Sequence, residues 1–333
     1  MQENLSALQQ LIDTTKKSVI ITHPNPDGDA FGSVLAWSAF LRKFGHETTV
    51  ISPPNYTKNF KWLKGFETIL AFEKEADQKI AVEKIVNCDA IYCLDFNAIS
   101  RLELLSEPIQ KATQPKVIID HHHQPEDFAK ILFSNTKYAA TCELLYDMMV
   151  GLGSDDLIDQ EIAESLYTGL VTDTGFFAYS NTTPNVHKVA GALITKGVST
   201  EYINDKVLNI FSENRLRYFG YCLLNNVKVT QGGKVAYITV SKEEARKFNL
   251  QSGDNEGLVN YPFKIEGVRM TALFTEEPSK VKISFRSKDT VDVNTFARNH
   301  FAGGGHTNAA GGRSFLSLDE TEKMFLEKLS DLF

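Results

Sequence analysis

The first half of the chain alternates short apolar runs with longer stretches of helical spacing. Residues 4–16 predict a helix, and Ser18-Val-Ile-Ile-Thr22 predicts a short buried strand. From Ala30 to Phe44 apolar residues recur at helical spacing, and Gly45 supplies a stop. Thr48–Ser52, Ala90–Leu94 and Lys116–Ile119 predict further strands, with a helix over 79–87 between the first two. Helices follow at about 139–152 and 159–174. Nearly continuous apolar strands alternating with helices predict a parallel sheet covered on both faces.

After Asp173 the pattern changes. Thr183-Pro-Asn starts a helix to about Lys196, closed by Gly197, and residues 200–226 predict more helix. From Val227 the chain predicts strands: 227–230 and 235–240 around Gly232-Gly233, then 268–274 and 281–285. Helices at 293–299 and 319–332 complete the chain, the last with Met324, Phe325, Leu329 and Leu332 as its apolar stripe. The pattern predicts an α/β parallel-sheet domain over 1–195, a helical connector over 196–226 and a smaller α/β domain over 227–333. The active site is expected in the cleft between the domains.

A chain of 333 residues is long enough for two cores. It has no run of about 18 apolar residues, and its polar start, MQENLSALQQLIDTTKKS, does not resemble a signal peptide. A cytoplasmic protein with no membrane partner is expected. Cys88, Cys93, Cys142 and Cys222 form no Cys-x-x-Cys pair, which predicts reduced, buried thiols rather than a zinc cluster. The net charge of −7 argues against a long duplex as partner. Residues 1–227 carry −8 and residues 228–333 carry +1. The acidic part suits a site that gathers cations.

Candidate chemistry concentrates where strands end. His23, Asp27 and Asp29 follow one strand, Asp95 follows another directly, and Asp120-His121-His122-His123 follows a third. Asp173 closes a helix before Thr174-Gly175. Ligands of open α/β sheets gather outside the carboxyl ends of the strands. A single Asp after a strand is usually a cap or turn residue. Three strands ending this way would crowd carboxylates that repel one another unless cations neutralise them. Asp and His without thiolate suit Mn²⁺, with Mg²⁺ or Co²⁺ as alternatives. Six ligands with one shared carboxylate suffice for two ions about 3.5–4 Å apart. Pro24 and Pro26 stiffen the first loop, and Gly28 is expected to allow a tight bend between Asp27 and Asp29.

The segments THPNPDGDAFGS, CLDF, IIDHHH and LVTDTGFF resemble the four motifs of the DHH phosphoesterase superfamily. Ile283-Ser-Phe-Arg-Ser287 and Gly303-Gly-Gly-His-Thr-Asn-Ala-Ala-Gly311 resemble its DHH-associated substrate-binding domain. Within the superfamily the chain resembles the bifunctional group that degrades oligoribonucleotides and removes the 3′-phosphate of 3′-phosphoadenosine 5′-phosphate. The resemblance implies that His23, Asp27 and Asp95 hold one ion, and that Asp29, Asp95, His121 and Asp173 hold the other. It implies that His122 contacts the scissile phosphate and that Asp120 orients the histidines. It implies that Arg286, Gly303, Gly304, Gly305 and His306 hold the rest of the substrate. The fork of Arg286 and the open backbone of the three glycines suit that role. Asn308 and Ala309 are expected to begin a helix whose N-terminus favours an anion.

Two positions depart from the pattern. His123 is a third consecutive histidine, and Thr307 stands where many relatives have Lys or Arg, weakening the expected grip on longer oligonucleotides. Arg101 is a further candidate phosphate contact, equally readable as an ion pair at a helix start. Phe176, Phe177 and Tyr179 could stack on a base but fit a core role better, and His46, His187 and His300 have no matching partners.

The expected reaction is in-line hydrolysis by a hydroxide bridging two divalent ions. Short single-stranded RNA or a nucleoside bisphosphate is the expected substrate, and a homodimer is left open. A cyclic or linear dinucleotide phosphodiesterase is the alternative within catalysis. A nucleotide sensor that does not hydrolyse is the alternative outside it, disfavoured because all six ligand positions are filled. The glycine–histidine motif argues against a pyrophosphatase.

Overall fold

The computed structural model describes residues 2–53, 59–209, 211–250 and 253–333, with nothing described for the side chain of residue 2. The chain divides into two compact units, Met1–Ile210 and Phe211–Phe333.

The first unit contains α1 (Gln2–Thr14), β1 (Lys17–Ile21), α2 (Gly28–Lys43), β2 (Glu47–Ser52) and β3 (Leu70–Ala71). Then come α3 (Glu75–Asn87), β4 (Ala90–Leu94), α4 (Ser106–Lys111), β5 (Lys116–Asp120) and β6 (Ile131–Ser134). Helices α5 (Thr141–Gly151), α6 (Gln160–Asp173), α7 (Pro184–Thr195) and α8 (Thr200–Leu208) complete it. The sheet runs β3-β2-β1-β4-β5-β6 and every pairing is parallel.

Alternate strand residues serve opposite cores. Ile20, Tyr92 and Ile119 pack with α1, α2, α5, α6 and α7, whereas Ile21, Cys93 and Ile118 pack with α3 and α4. Burial on both faces is why the strands read as unbroken apolar runs. The chain leaves β1 toward β2, then crosses back so that β4 pairs on the other side of β1. This reversal is a topological switch point, and it opens a crevice at the carboxyl ends of β1 and β4.

Helices α2 and α6 cross at unusually close range. A Cβ added to Gly32 would lie 2.4 Å from the Ser165 carbonyl oxygen, and one on Gly169 would lie 2.9 Å from the Asp29 Cα. Gly28 is not the bend expected from sequence. It is the first residue of α2, and a Cβ there would meet the Thr172 side chain at 2.4 Å. The left-handed turn of the loop falls on Asn25 instead (φ 54°).

The second unit contains α9 (Glu213–Asn225), β7 (Val227–Thr230), β8 (Val235–Val240), α10 (Lys242–Lys247), β9 (Met270–Glu276) and β10 (Val281–Ser287). It ends with α11 (Val293–His300), β11 (Gly304–His306), β12 (Ala309–Ser314) and α12 (Leu318–Lys328). The sheet order is β11-β12-β10-β9-β8-β7, with only β8 and β9 parallel. Helices α11 and α12 cover one face through Phe296, Phe301, Phe325 and Leu329, and α9 covers the other through Tyr218, Phe219 and Cys222. The helices expected as a connector therefore divide between the units, α8 in the first and α9 in the second. The helix expected from Asn308 is strand β12, because residues 309–314 pair along β10. All four cysteines are free and buried. No described helix is long and apolar enough to cross a membrane.

Gly32→Ala should lose about 1–3 kcal/mol of unfolding free energy, because backbone on α6 cannot yield to a methyl group. Gly191→Ala in α7, where a Cβ meets nothing within 4 Å, should gain up to about 1 kcal/mol. Denaturant unfolding of the two variants checks both signs.

Candidate metal centre

Four peptide segments deliver side chains to the switch point. His23 stands two residues beyond β1, and Asp95 follows β4 in a left-handed conformation (φ 62°). Asp120 ends β5 and aims His121 and His122 past it, while Asp173 is the last residue of α6. Asp27 caps α2 by accepting from the N–H groups of Asp29 and Ala30, which turns Asp29 into the first helical turn.

Three groups of potential ligand atoms lie within 4.8 Å of one another: His23, Asp27 and Asp95; Asp29, His121 and Asp173; and Asp95, His121 and His122. Asp95 Oδ2 is 3.2 Å from His23 Nε2, whereas its Oδ1 is 3.5 Å from His121 Nε2. His121 Nε2 also lies 3.4 Å from Asp173 and 3.8 Å from Asp29.

The other ring nitrogens have acceptors. His23 Nδ1 donates to the Pro24 carbonyl at 2.8 Å, and His121 Nδ1 donates to the Tyr138 carbonyl at 3.3 Å. Carbonyl oxygens only accept, so these contacts fix the tautomers and leave each Nε2 to face the carboxylates. His122 Nδ1 donates to Asp120 Oδ1 at 2.7 Å, and its N–H donates to Asp120 Oδ2 at 2.8 Å.

The electrostatics show what the donor set lacks. Burial pushes the Asp29 carboxyl well above the usual range, as do the charges of Asp95 and Asp27, while hydrogen bonds from Cys142 pull against them. Burial raises Asp173 too, together with the charges of Asp29, Asp27 and Asp95. At Asp95 burial is outweighed by the hydrogen bond and charge of His23, then by His121 and His122, and the carboxyl falls well below normal. Burial opposes charge on His23, but the hydrogen bond and charge of Asp95, then Asp27, raise it to about 9. Among the described residues, Asp29, Asp95 and Asp173 form ion pairs only with histidines. A divalent cation would relieve the repulsion, and carboxylate plus imidazole is a fitting donor set for one.

The remaining candidates have other settings. Arg101 is exposed, in the 3-10 stretch Ile99–Leu105, and its charge opposes protonation of His122. His123 is exposed and joins none of the three ligand groups; its carbonyl accepts from Asn97. Phe176 and Phe177 pack against the core, Phe177 stacking on His187, and both have left-handed backbone (φ 55° and 66°). His46 is buried between Ser18 and the Ile12 carbonyl, and His300 pairs with Asp331.

In the second unit Arg286 lies near the end of β10 and donates to the Phe285 carbonyl. The three glycines are not an open cradle of N–H groups. The N–H of Gly303 donates to the Ala297 carbonyl and that of Gly305 to Asn294 Oδ1 at 2.8 Å. Their lack of side chains serves packing: a Cβ on Gly303 would lie 1.9 Å from the Gly311 oxygen, and one on Gly305 2.4 Å from that of Ala309. Gly304 and His306 pair with β12, and Thr307 is exposed.

Sequence reasoning missed Thr141 and Asn97. Thr141 donates its hydroxyl to Asp95 at 2.9 Å, and Asn97 holds the His122 carbonyl at 3.1 Å. Asn97, two positions after Asp95, gave a weak signal, whereas Thr141 gave none because its partners are remote in sequence.

Residues 17–170 match the DHH family, N-terminal domain, and residues 232–333 match the DHHA1 domain. The chain is 30% identical over 314 residues to the bifunctional oligoribonuclease and PAP phosphatase NrnA of Thermus thermophilus, spanning 94% of this chain and 89% of that one. It is 25% identical over 328 residues to the Bacillus subtilis protein of the same name, spanning 98% and 97%. The crystal structure of an exopolyphosphatase-related protein from Bacteroides fragilis is similar at a TM-score of 0.96 and 36% identity, over 99% of this chain and 96% of that one.

In metal-free protein at neutral pH, His23 holds a proton that a metal must displace. Mn²⁺ binding should therefore release protons, and its affinity should rise with pH until about 9, where His23 becomes neutral unaided. Calorimetric titration in buffers of different ionisation enthalpy measures this release. An affinity flat between neutrality and that value would contradict the assignment.

Proposed function

Because the chain belongs to the DHH family, we propose that it is a metal-dependent phosphoesterase acting on very short RNA and nucleoside bisphosphates. It hydrolyses short oligoribonucleotides to 5′-mononucleotides and removes the 3′-phosphate of 3′-phosphoadenosine 5′-phosphate. The observation that carries this reading is the two-sided Asp95 carboxylate, with one oxygen toward His23 and the other toward His121.

In this reading His23, Asp27 and Asp95 hold one divalent ion, and Asp29, Asp95, His121 and Asp173 hold a second. Mn²⁺ suits these oxygens and imidazoles, and Mg²⁺ or Co²⁺ shares the preference. Bound ions supply Lewis-acid charge and a water that ionises near neutral pH. The protein's own part is placement. Asp120 fixes the His122 ring through Nδ1, which leaves its Nε2 edge to meet a phosphoryl oxygen. Burial disfavours charge on His122, yet the hydrogen bond it donates to Asp120 and the charges of Asp95 and Asp120 raise its proton affinity. Arg286 and His306 take the distal phosphate and nucleoside, with Arg101 as a further cation near His122. The reading puts the protein in the cytoplasm.

Turnover with Mn²⁺ and three substrates tests the proposal: 3′-phosphoadenosine 5′-phosphate, a ribodinucleotide and a strand of about two dozen nucleotides. Fast release of mononucleotide from the dimer and phosphate from the bisphosphate is expected, with slow attack on the long strand. Asp95→Ala should lose at least about tenfold in kcat. Full activity after metal removal, or binding without products, would sink the proposal.

A further inference from the structure

Helix α5 begins without a cap of its own. Ala140 precedes it with extended backbone and makes no side-chain hydrogen bond to the helix. A helix start leaves its first N–H groups without intrahelical partners. Here a carboxylate from another helix takes the first two. The Thr141 N–H donates to Asp29 Oδ2 at 2.6 Å, and the Cys142 N–H donates to Asp29 Oδ1 at 2.9 Å. The Thr141 hydroxyl turns to the neighbouring strand end and donates to Asp95 Oδ1 at 2.9 Å. Thr141 is completely buried.

One residue thus binds a carboxylate from each proposed ligand triad, Asp29 through its backbone and Asp95 through its side chain. Two anions in a buried space repel and would take separate rotamers unless donors hold them. The amides and dipole at the start of α5 provide a fixed positive frame for Asp29. The hydroxyl ties Asp95 to the same frame.

We propose that Thr141 is the positioning residue of the metal centre, setting the separation of Asp29 and Asp95 before any ion arrives. This rests on the two-metal reading above. It touches neither substrate nor ion; it acts through the two carboxylates.

The test compares Thr141→Val, Thr141→Ala and Thr141→Ser with the full-length wild type. Valine keeps the shape and the N–H to Asp29 and removes the hydroxyl; alanine also removes it without crowding the site. Mn²⁺ titrated into each metal-free protein should bind about 10–100-fold more weakly to the valine and alanine variants. Serine should restore the affinity. At saturating Mn²⁺ the KM for a ribodinucleotide should stay at the wild-type value while kcat falls. Wild-type Mn²⁺ affinity in the alanine variant, or serine no better than alanine, overturns the role of Thr141. Absence of Mn²⁺ binding by the wild type itself would instead remove the two-metal reading and this inference together.

Discussion

Three carboxylates, the buried Asp29 and Asp95 and the half-buried Asp173, crowd together at the carboxyl edge of a parallel sheet, and their described ion pairs are all with histidine. Charge of one sign in a dry place is the costliest arrangement a fold can hold. The surrounding structure answers that cost. The amides at the start of α5 solvate Asp29, the Thr141 hydroxyl and His23 ring solvate Asp95, and His121 stands between all three. What these donors leave uncompensated, seen as the raised Asp29 and Asp173, is the attraction a divalent ion would meet.

Bringing the carboxylates so close needed steric and backbone concessions. α6 reaches Asp29 because Gly169 has no side chain: a Cβ there would fall 2.6 Å from Asp29 Oδ1. Gly32 and Gly28 make the matching concession on α2. Asp95, Phe176 and Phe177 adopt left-handed backbone without being glycine, at about 1–2 kcal/mol each. The strain sits at Asp95 itself, after β4, and in the turn three and four residues beyond Asp173, where the core packs against Phe176 and Phe177. Chain geometry and electrostatics are therefore one problem here: residues bent against preference keep repelling groups together.

Much of the frame was legible because burial on both faces leaves a strong trace. β4 and β8 fall where the apolar runs predicted, and α6 and α7 start at recognisable caps, Asp159 and Thr183. The weaker elements left little trace. β3 has two residues, and β6 is an edge strand whose four residues only partly face a core. Ala309–Ser314 carries small residues and glycines with no strand signature, so its pairing with β10 is set by tertiary structure. The same division holds in the site. Asp and His at strand ends announce themselves, whereas Thr141 acts through partners 46 and 112 positions away and could be seen only when the fold brought them together.

The acidic centre accounts for hydrolysis but says little about which ester is cut, since nothing in it reads a base or a chain length. Selectivity must reside in groups that touch the substrate away from the scissile bond. In the second unit the glycine run cannot carry that role by itself: two of its N–H groups are already spent on Ala297 and Asn294, and its missing side chains let backbone approach backbone. In the proposed function the discriminating contacts are assigned to side chains instead, chiefly the planar fork of Arg286 and the ring of His306. Thr307, uncharged and exposed beside them, adds no cation for a second phosphate. In the proposed function, that missing cation favours a nucleotide or a dimer over a polymer, because each further phosphate needs its own counter-charge.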